Sequence, residues 1–438
     1  NHHTWRQIMI SFVATGDSLI IDRLPKGKGF DSIKEYISNA DVRFTNLETV
    51  IIDKDCFANT FCGGAYVWSP SYVLDELQVL GFNLYSWANN HTMDFSYNGL
   101  YSTIKNLKDR NMVFAGAGNS LYEASMPAFL NTQGGRVALL AQAALYKSQH
   151  GARAGDPHDA FPARPGLNIL RYNVEYIVTE EQMNVLRDVV AKTDMDADDA
   201  LGIAQGFVQP PPGDILDFDG VKLKLGNYNR RITYPDERDM VRMERHIKAA
   251  LTNSDYAIVS IHSHQMKGRN ENEPDYFLEE YAHRCIDAGA SAVIGTGTHL
   301  LRGIEIYKNR PIFYSLGNFI FQSRFASRIP ADTVESRGYN PDHFGAEAMF
   351  IYSKTPKGSL GKNSIYFRSV IPYWEIDKGK LSKITLLPIK LGFSDGPYNF
   401  IGCPQPAEPS LLYDELVAAS KNYGTEFEIK HNIIEVKI

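Results

Sequence analysis

The chain alternates between short apolar runs and longer segments with helical periodicity. The apolar runs, each followed by a polar or glycine-containing turn, predict buried β-strands at residues 8–14, 41–46, 82–86, 113–115 and 137–141. Between them, Ser69-Pro70 and Gly81 are typical of the start and end of a helix, and residues 97–110 repeat apolar positions at helical spacing. This order of strand, polar end, helix and strand predicts a layered α/β domain with its site along one edge of a sheet.

The same order resumes in the second half of the chain. Helices are predicted over residues 237–251 and 275–288, the second ended by Gly289, and strands over residues 256–261 and 291–295. Residues 304–307 and 312–316, joined around Asn309-Arg310-Pro311, predict a β-hairpin. A further strand is predicted over residues 383–391.

Two stretches interrupt this order. Residues 146–235 are rich in proline and glycine and contain one clear helix signal, the capping box from Thr179 to Gln182, so we interpret them as an inserted cap or lid. Residues 323–362 form a second irregular insertion. With both insertions included, we expect residues 7–438 to form a single domain.

Composition narrows the classes of function. The 438 residues carry a net charge of −6, with acidic and basic residues interspersed, which excludes a nucleic-acid partner. No apolar run reaches the length of about 18 residues that a membrane span needs, and no signal-peptide pattern is present. A leader or anchor removed from the sequence would leave the same pattern, so cytoplasmic and extracytoplasmic locations both stay open. The sequence does not predict the oligomeric state.

Metal-ligand residue types follow the predicted strands. In chain order they are Asp17, Asn46, Glu48, Asn89, Asn90, His91, Asp94, His262, His264, His299 and Asn318. Carboxylate, amide and imidazole groups are the ligands of hard or borderline divalent cations when no thiolate is available. Such groups at one sheet edge would desolvate one another unless a cation offset the cost, so we predict a metal site. Asn90 and His91 are expected on a turn, since adjacent residues of a strand point to opposite faces.

The polar strand ends occur within short motifs. In order these are Gly16-Asp17, Asn46-Leu47-Glu48, Asn89-Asn90-His91, His262-x-His264, Gly295-x-Gly-x-His299 and Tyr314-Ser-Leu-Gly-Asn318-Phe. The set resembles the CapA family, the bacterial poly-γ-glutamate capsule biosynthesis proteins, which are similar in turn to the calcineurin-like metallophosphoesterases. The resemblance covers about residues 8–321. It implies an α/β fold, specifically a four-layer α-β-β-α sandwich with the metal site at the sheet edge.

The resemblance also implies roles for individual residues. The implied metal ligands are Asp17, Glu48 as a bridging carboxylate, Asn90, His262, His264 and His299. His91 matches the histidine that protonates a leaving group, and Asn46, Asn89 and Asn318 would hold the ligands in place. The implied cofactor is one or two divalent ions, with Mn, Mg, Ca and Zn all compatible with this ligand set.

At two positions the sequence differs from the families that it resembles. Leu19 stands where the phosphoesterases have a histidine, and Thr296 stands in Gly295-Thr296-Gly297-Thr298-His299 where close relatives have an imidazole. A two-metal site needs a complete ligand set for each ion. One occupied metal site or a weak second one is therefore expected, and chemistry on a peptide or poly-γ-glutamate-like acid is favoured over phosphomonoester hydrolysis.

Three functions are compatible with these residues. The first is a metal-dependent hydrolase or transferase in which His91 protonates the leaving group. The second is a peptide epimerase, in which Asp17 and either His299 or His91 remove and return a Cα proton. The third is a non-catalytic component that binds or exports capsule polymer, with partners among membrane proteins of capsule synthesis. Four residues are candidate substrate contacts in either enzyme: His150, Arg153, Arg164 and Trp87.

Overall fold

The computed structural model describes residues 9–53, 56–145, 155–156, 161–322, 331–336, 338, 363–393 and 400–438. Most of the second predicted insertion lies outside these residues. No helix in the described ranges is long and apolar enough to cross a membrane.

The strands and helices are numbered in chain order. The strands are β1 (Ile10–Leu19), β2 (Val42–Leu47), β3 (Val50–Ile51), β4 (Trp68–Ser69), β5 (Leu84–Ser86), β6 (Phe114–Ala115), β7 (Ala117–Gly118), β8 (Ala128–Thr132), β9 (Gly135–Ala144), β10 (Gly166–Leu167), β11 (Tyr172–Val178), β12 (Ile215–Phe218), β13 (Val221–Leu225), β14 (Arg230–Pro235), β15 (Tyr256–Ser263), β16 (Met266–Lys267), β17 (Asn270–Pro274), β18 (Ala292–Thr296), β19 (Ile304–Tyr307), β20 (Arg310–Phe313), β21 (Asn318–Phe321), β22 (Arg368–Asp377), β23 (Lys380–Leu391), β24 (Pro404–Pro406), β25 (Phe427–Lys430) and β26 (Ile433–Val436). The α-helices are α1 (Lys28–Ser38), α2 (Tyr72–Val79), α3 (Ser96–Asp109), α4 (Leu121–Ser125), α5 (Glu180–Thr193), α6 (Ala197–Ala204), α7 (Glu237–Ala250), α8 (Tyr276–Asp287), α9 (Ala331–Ser336) and α10 (Tyr413–Ser420).

Two large sheets pack face to face. The first has the order β25-β26-β23-β22-β1-β2-β5-β6, with β21 also paired to β1 and β24 to β23, and the second has the order β19-β20-β18-β15-β9-β8. Phe12 of β1 packs edge-to-face against Tyr256 of β15, with ring centroids 6.0 Å apart. The two sheets therefore share a central hydrophobic core.

Alternate residues of β9 show the layers on either side of the second sheet. Leu139 belongs to the core shared with the first sheet, whereas Leu140 packs in a separate core with residues of α7 and α8. Buried residues of α1, α2 and α3 join the core of the first sheet. The layers are thus helix, sheet, sheet and helix, which confirms the predicted α-β-β-α sandwich.

Parallel pairing brings the ends of distant strands to one edge. Asp17 on β1 is level with Asn46 on β2 and with Asn318 on β21, and His262 on β15 is level with Thr296 on β18. Strand β1 does not end at Ala14, as the sequence predicted, but continues to Leu19 through a register shift between Ala14 and Asp17. A Cβ at Gly16 would overlap the carbonyl oxygen of Gly317, so glycine lets the two chains approach closely there.

Residues 161–235, in the first predicted insertion, are more ordered than their composition predicted. Helix α5 begins at the predicted capping box, with both reciprocal bonds between Thr179 and Gln182 formed. The same stretch also contains α6 and a four-stranded sheet in the order β12-β13-β11-β14. These strands were not predicted, because most of their residues are half-buried or exposed and their sequences show no strong alternation of apolar and polar positions.

Buried ion pairs attach the inserted sheet to the second helical layer. Arg171, just before β11, donates from Nε to Asp239 of α7 at 2.8 Å, and Arg242 donates to the same fully buried carboxylate at 2.8 Å. Arg231 of β14 forms a two-bond pair with Asp275, at 3.0 and 2.7 Å. The base of the insertion is therefore fixed to α7 and α8.

Replacing Asp239 by asparagine is expected to destabilise the fold by about 3–5 kcal/mol, because two arginines would lose their buried counter-charge. Denaturant unfolding of the wild type and variant measures the difference. Asp188→Asn is the control, since it removes a mostly exposed carboxylate paired with Lys192 and should cost less than about 1 kcal/mol. Equal stabilities of the Asp239 and Asp188 variants would contradict the prediction.

Candidate metal centre

The predicted ligands converge at the shared edge of the two sheets. They form two overlapping groups, Asp17 with Glu48 and His262, and Glu48 with His264 and His299, and within each group the ligand atoms lie within 4.8 Å of one another. Glu48 is common to both groups. This geometry can accommodate one divalent ion or two ions that share a carboxylate.

Asp17 is fully buried and held from two sides. Asn46 donates from Nδ2 to Oδ1 at 2.8 Å, and the backbone N–H of Gly297 donates to Oδ2 at 2.9 Å. Burial alone would raise the pKa of Asp17, but contact with His262 and the charges of His262 and His299 outweigh it and lower the pKa. Asp17 is therefore an ionised, oriented carboxylate, the form that ligates a cation.

The surroundings of Glu48 indicate whether a cation fits the centre. Its side chain is fully buried, and neither carboxylate oxygen has a hydrogen-bond partner among the residues that the structure describes. Burial and the negative charges of Asp17 and Asp94 raise its pKa well above the ordinary value. A buried carboxylate without donors beside two other acids is unfavourable unless a cation compensates it. The donor set therefore fits a divalent ion.

His262 is fully buried between the two carboxylates of its group. Its Nδ1 lies 3.6 Å from Asp17 Oδ1 and its Nε2 lies 3.7 Å from Glu48 Oε1. Asn90 Oδ1 lies 2.7 Å from the same Nε2, while Asn90 Nδ2 donates to the carbonyl oxygen of Gly63 at 2.6 Å. The carbonyl of Gly63 thereby turns the amide oxygen of Asn90 towards the centre.

The two histidines of the second ligand group, His264 and His299, lie on irregular segments. His264 follows β15, and its ring centroid is 5.5 Å from that of His299. His299 adopts a left-handed backbone conformation, with φ of +61°, and its Nδ1 lies 2.8 Å from Asn318 Oδ1. Burial is the main reason that the pKa of His264 is well below its ordinary value, and burial also lowers the pKa of His299. Both rings are therefore neutral, as metal ligation requires.

His91 lies beside the centre on the predicted turn. Its Nδ1 is 2.7 Å from Asp94 Oδ2, and its Nε2 is 4.0 Å from Glu48 Oε1. Asp94 also accepts backbone N–H bonds from Gly63 at 3.0 Å and Val67 at 2.9 Å. Because both Asp94 oxygens act as acceptors, Nδ1 of His91 carries the donated proton and Nε2 faces the metal groups. The turn position of Asn90 and His91 is confirmed.

Hydrogen bonds from other polar groups hold these ligands in place. Asn89 donates from Nδ2 to the carbonyl oxygen of Leu47 at 2.8 Å and accepts from the backbone N–H of His91 at 3.1 Å. Thr296, at the position where an imidazole was expected, has its hydroxyl 3.0 Å from His262 Nδ1. The positioning contacts of Asp94, Gly63 and Thr296 were not predicted from the sequence. The Asn-His-x-x-Asp spacing of the turn was the available signal for Asp94.

Of the four predicted substrate contacts, the structure describes Trp87 and Arg164. Trp87 is fully buried, and its indole N–H donates to the carbonyl oxygen of Thr49 at 3.0 Å, so its ring packs in the core rather than facing a ligand. Arg164 pairs through its backbone with Gly155. His150 and Arg153 lie outside the described residues.

Comparison with known proteins agrees with this arrangement. The family model described as "Bacterial capsule synthesis protein PGA_cap" matches residues 11–323, which are most of the chain. The chain belongs to this capsule synthesis family. The match confirms the resemblance to CapA that the strand-end motifs indicated, and the fold is the α/β sandwich of the metallophosphoesterase type.

Individual relatives are similar at modest identity. An uncharacterized protein of Sinorhizobium fredii is 33% identical over 445 residues, covering 97% of this chain and 92% of that protein. The capsule biosynthesis protein CapA of Bacillus anthracis is 24% identical, covering 79% of this chain and 68% of that protein. A probable polyglutamine synthesis accessory protein of Mycobacterium tuberculosis is 28% identical, covering 64% of this chain and 55% of that protein.

Proposed function

We propose that this member of the capsule synthesis family is a divalent-metal-dependent enzyme that acts on an amide bond of a peptide or poly-γ-glutamate-like substrate. It would either hydrolyse that bond or transfer the acyl group to another amine. The names of the relatives from Bacillus anthracis and Mycobacterium tuberculosis support a substrate of this class. The observation that carries the catalytic part is His91, whose Nε2 faces Glu48 at 4.0 Å while Asp94 holds Nδ1 at 2.7 Å.

The metal would be held by Asp17, Glu48, Asn90, His262, His264 and His299, with Glu48 shared. The chemistry that such an ion supplies when bound is Lewis-acid polarisation of a substrate oxygen and acidification of water. The ligand set contains no thiolate, so Mn, Mg, Ca and Zn all remain candidates. Asn46, Asn89 and Asn318 would keep the ligands in place through the contacts described above.

His91 would act as the general acid. Asp94 accepts the Nδ1 proton at 2.7 Å, which fixes the orientation of the imidazole. A proton on Nε2 can then pass to the departing amine nitrogen as the amide bond breaks. The near-complete burial of the surrounding side chains, with His91 at 5% exposure, excludes water from the reacting groups and strengthens these electrostatic contacts.

The epimerase alternative needs Asp17 as a proton acceptor at Cα. Each Asp17 oxygen accepts one hydrogen bond, from Asn46 at 2.8 Å and from Gly297 at 2.9 Å, and the remaining lone pairs would be engaged by the metal in the ligand set proposed above. The lowered pKa of this carboxylate, in which contact with His262 and the charges of His262 and His299 outweigh burial, also makes it a weak base. The hydrolase or transferase chemistry therefore has the better support.

Incubation of the Mn²⁺-supplemented full chain with a γ-glutamyl tetrapeptide in D₂O containing H₂¹⁸O tests the proposal. A hydrolase gives shorter peptides with ¹⁸O in the new carboxyl group, and a transferase gives shorter and longer peptides without it. Neither reaction places deuterium at Cα. Mass spectrometry measures all three products, and a chelator such as EDTA is expected to stop the reaction.

The alternatives predict different products. Deuterium in an uncleaved peptide would establish epimerisation and contradict the proposal. Peptide binding by calorimetry without any chemical change, across all four candidate metals, would instead establish a non-catalytic polymer-binding component.

A further inference from the structure

Residues 185–208 of the insertion, which include most of α5 and all of α6, form a surface that is exposed and rich in apolar side chains. We call it the α5–α6 surface. From Ala191 to Leu201 every residue is exposed, and none of the eight residues of α6 is buried. The surface holds more than a quarter of the exposed large apolar side chains among the described residues: Val185, Val189, Met195, Leu201, Phe207 and Val208. Such a concentration is typical of an interaction surface.

The exposed valines of α5 lie away from the face that attaches this helix to the inserted sheet. Met183 and Val190 are the buried residues of α5, and the helix packs against β12 and β13. Val185 and Val189 are one turn apart, and each lies at least about 100° around the helix from both buried residues. They therefore face outwards. Phe207, which follows α6, is 84% exposed.

The α5–α6 surface is presented on a fixed base. The ion pairs of Arg171 with Asp239 and of Arg231 with Asp275 attach the inserted sheet to α7 and α8. Helix α6 has no comparable support, because its eight residues include no buried side chain. A helix of this length has little stability on its own in water. Packing against a partner would supply stabilisation that the described part of the chain does not.

Charge distinguishes the possible occupants of this surface. Residues 185–208 contain five aspartates and two basic residues, a net charge of −3, which is half of the net charge of −6 of the chain. Lys192 pairs with Asp188 at 2.7 Å. The other four aspartates form no ion pair with a described basic residue: Asp194, Asp196, Asp198 and Asp199. An anionic membrane, poly-γ-glutamate or a second copy facing this one across a two-fold axis would therefore bring like charges together.

We propose that the α5–α6 surface binds a basic amphipathic segment of a partner protein. The apolar side chains of that segment would pack on Leu201 and Phe207, and its lysines or arginines would lie beside the aspartates around the start of α6. Opposite charges around an apolar contact favour the correct partner and speed its association. This role is separate from chemistry at the metal centre, because the surface contributes no residue to either ligand group.

Fluorescence anisotropy of the full chain with three labelled peptides tests the inference. The probes are the basic amphipathic peptide KLAKLAKKLAKLAK, its acidic counterpart ELAELAEELAELAE, and the basic peptide KSAKSAKKSAKSAK, which has serine in place of leucine. The wild type is expected to bind the first peptide at least about tenfold more tightly than either of the others at about 0.15 M salt.

Variants of the surface locate the binding site. L201S/F207S should bind the basic amphipathic peptide about tenfold or more weakly than the wild type, because two exposed apolar contacts are removed. D198N/D199N should weaken binding by about three- to tenfold and reduce its dependence on salt. The first control is V79S on α2, since Val79 is 57% exposed and Leu201 is 56% exposed. The second is D109N on α3, where the side chain is 53% exposed. Both controls should bind like the wild type.

Four results would overturn the inference. The wild type could bind all three peptides equally, or L201S/F207S could bind like V79S. Sedimentation velocity could show a dimer that L201S/F207S abolishes, which would assign the surface to a second copy. Vesicles containing phosphatidylglycerol could bind the wild type but not L201S/F207S, which would assign it to a membrane.

The thermal midpoint establishes that each variant is folded. If L201S/F207S is not folded, F207S decides, since Phe207 lies outside α6. Binding of the basic amphipathic peptide that is weakened by about threefold or more in F207S supports the inference, and unchanged binding contradicts it.

Discussion

Replacing Glu48 by glutamine is expected to weaken metal binding by about 100-fold or more and, at the same time, to stabilise the metal-free protein. Glu48 belongs to both ligand groups, so a neutral amide removes the shared negative charge from each. In the absence of metal the carboxylate is buried without hydrogen-bond partners among the described residues and is repelled by Asp17 and Asp94. Removing that charge should raise the free energy of unfolding by about 1–3 kcal/mol.

Metal analysis of the purified variant and thermal unfolding with and without EDTA measure the two effects. The wild type should gain stability when Mn²⁺ is added, and Glu48→Gln should not. Glu428→Gln is the matched control, because Glu428 lies on an exposed edge strand. A Glu48 variant that binds Mn²⁺ like the wild type would exclude Glu48 as the shared ligand. A metal-free variant that unfolds more easily than the metal-free wild type would contradict the expected repulsion.

Replacing His91 by glutamine is expected to lower turnover of the γ-glutamyl substrate by about 10²–10⁴-fold, while metal affinity changes by less than about threefold. Glutamine can still form hydrogen bonds but cannot transfer a proton at neutral pH. The separation of the two effects follows from the geometry, since His91 does not belong to either ligand group and its Nδ1 is held by Asp94.

Initial rates and metal stoichiometry on the same preparations test this prediction. His431→Gln is the control, because His431 is an exposed histidine of a C-terminal turn, and it should keep the wild-type rate. Loss of bound metal in His91→Gln would assign His91 to the ligands instead. A full rate with full metal content would exclude it as the general acid.

Much of the candidate site was predictable because its residues follow apolar runs. Parallel strands of one sheet place their carboxyl ends at a common edge, so Asp17 and Glu48 could be expected to meet without knowing the pairing order. His262 reaches them from the second sheet, through the packing of the two sheets. The identity of the ligand types then pointed to a divalent ion. The capping box at Thr179 was predictable for a similar reason, since it is a local interaction within four residues.

The remainder depends on contacts between distant segments. The amide orientation of Asn90 is set by the carbonyl of Gly63, and the left-handed conformation of His299 has no local signal such as glycine or asparagine at that position. Spacing along the chain does not encode such pairings.

Strand β1 pairs with strands that are far apart in the chain: Asp17 is level with Asn46 on β2 and with Asn318 on β21. During synthesis, the first of these neighbours emerges from the ribosome early, whereas the second emerges only after some three hundred further residues have been added. The nascent chain therefore has an incomplete coordination pocket for most of its translation. A divalent ion would thus bind late, after most of the chain has been synthesised. Its binding would follow the folding of the two sheets and would not nucleate it.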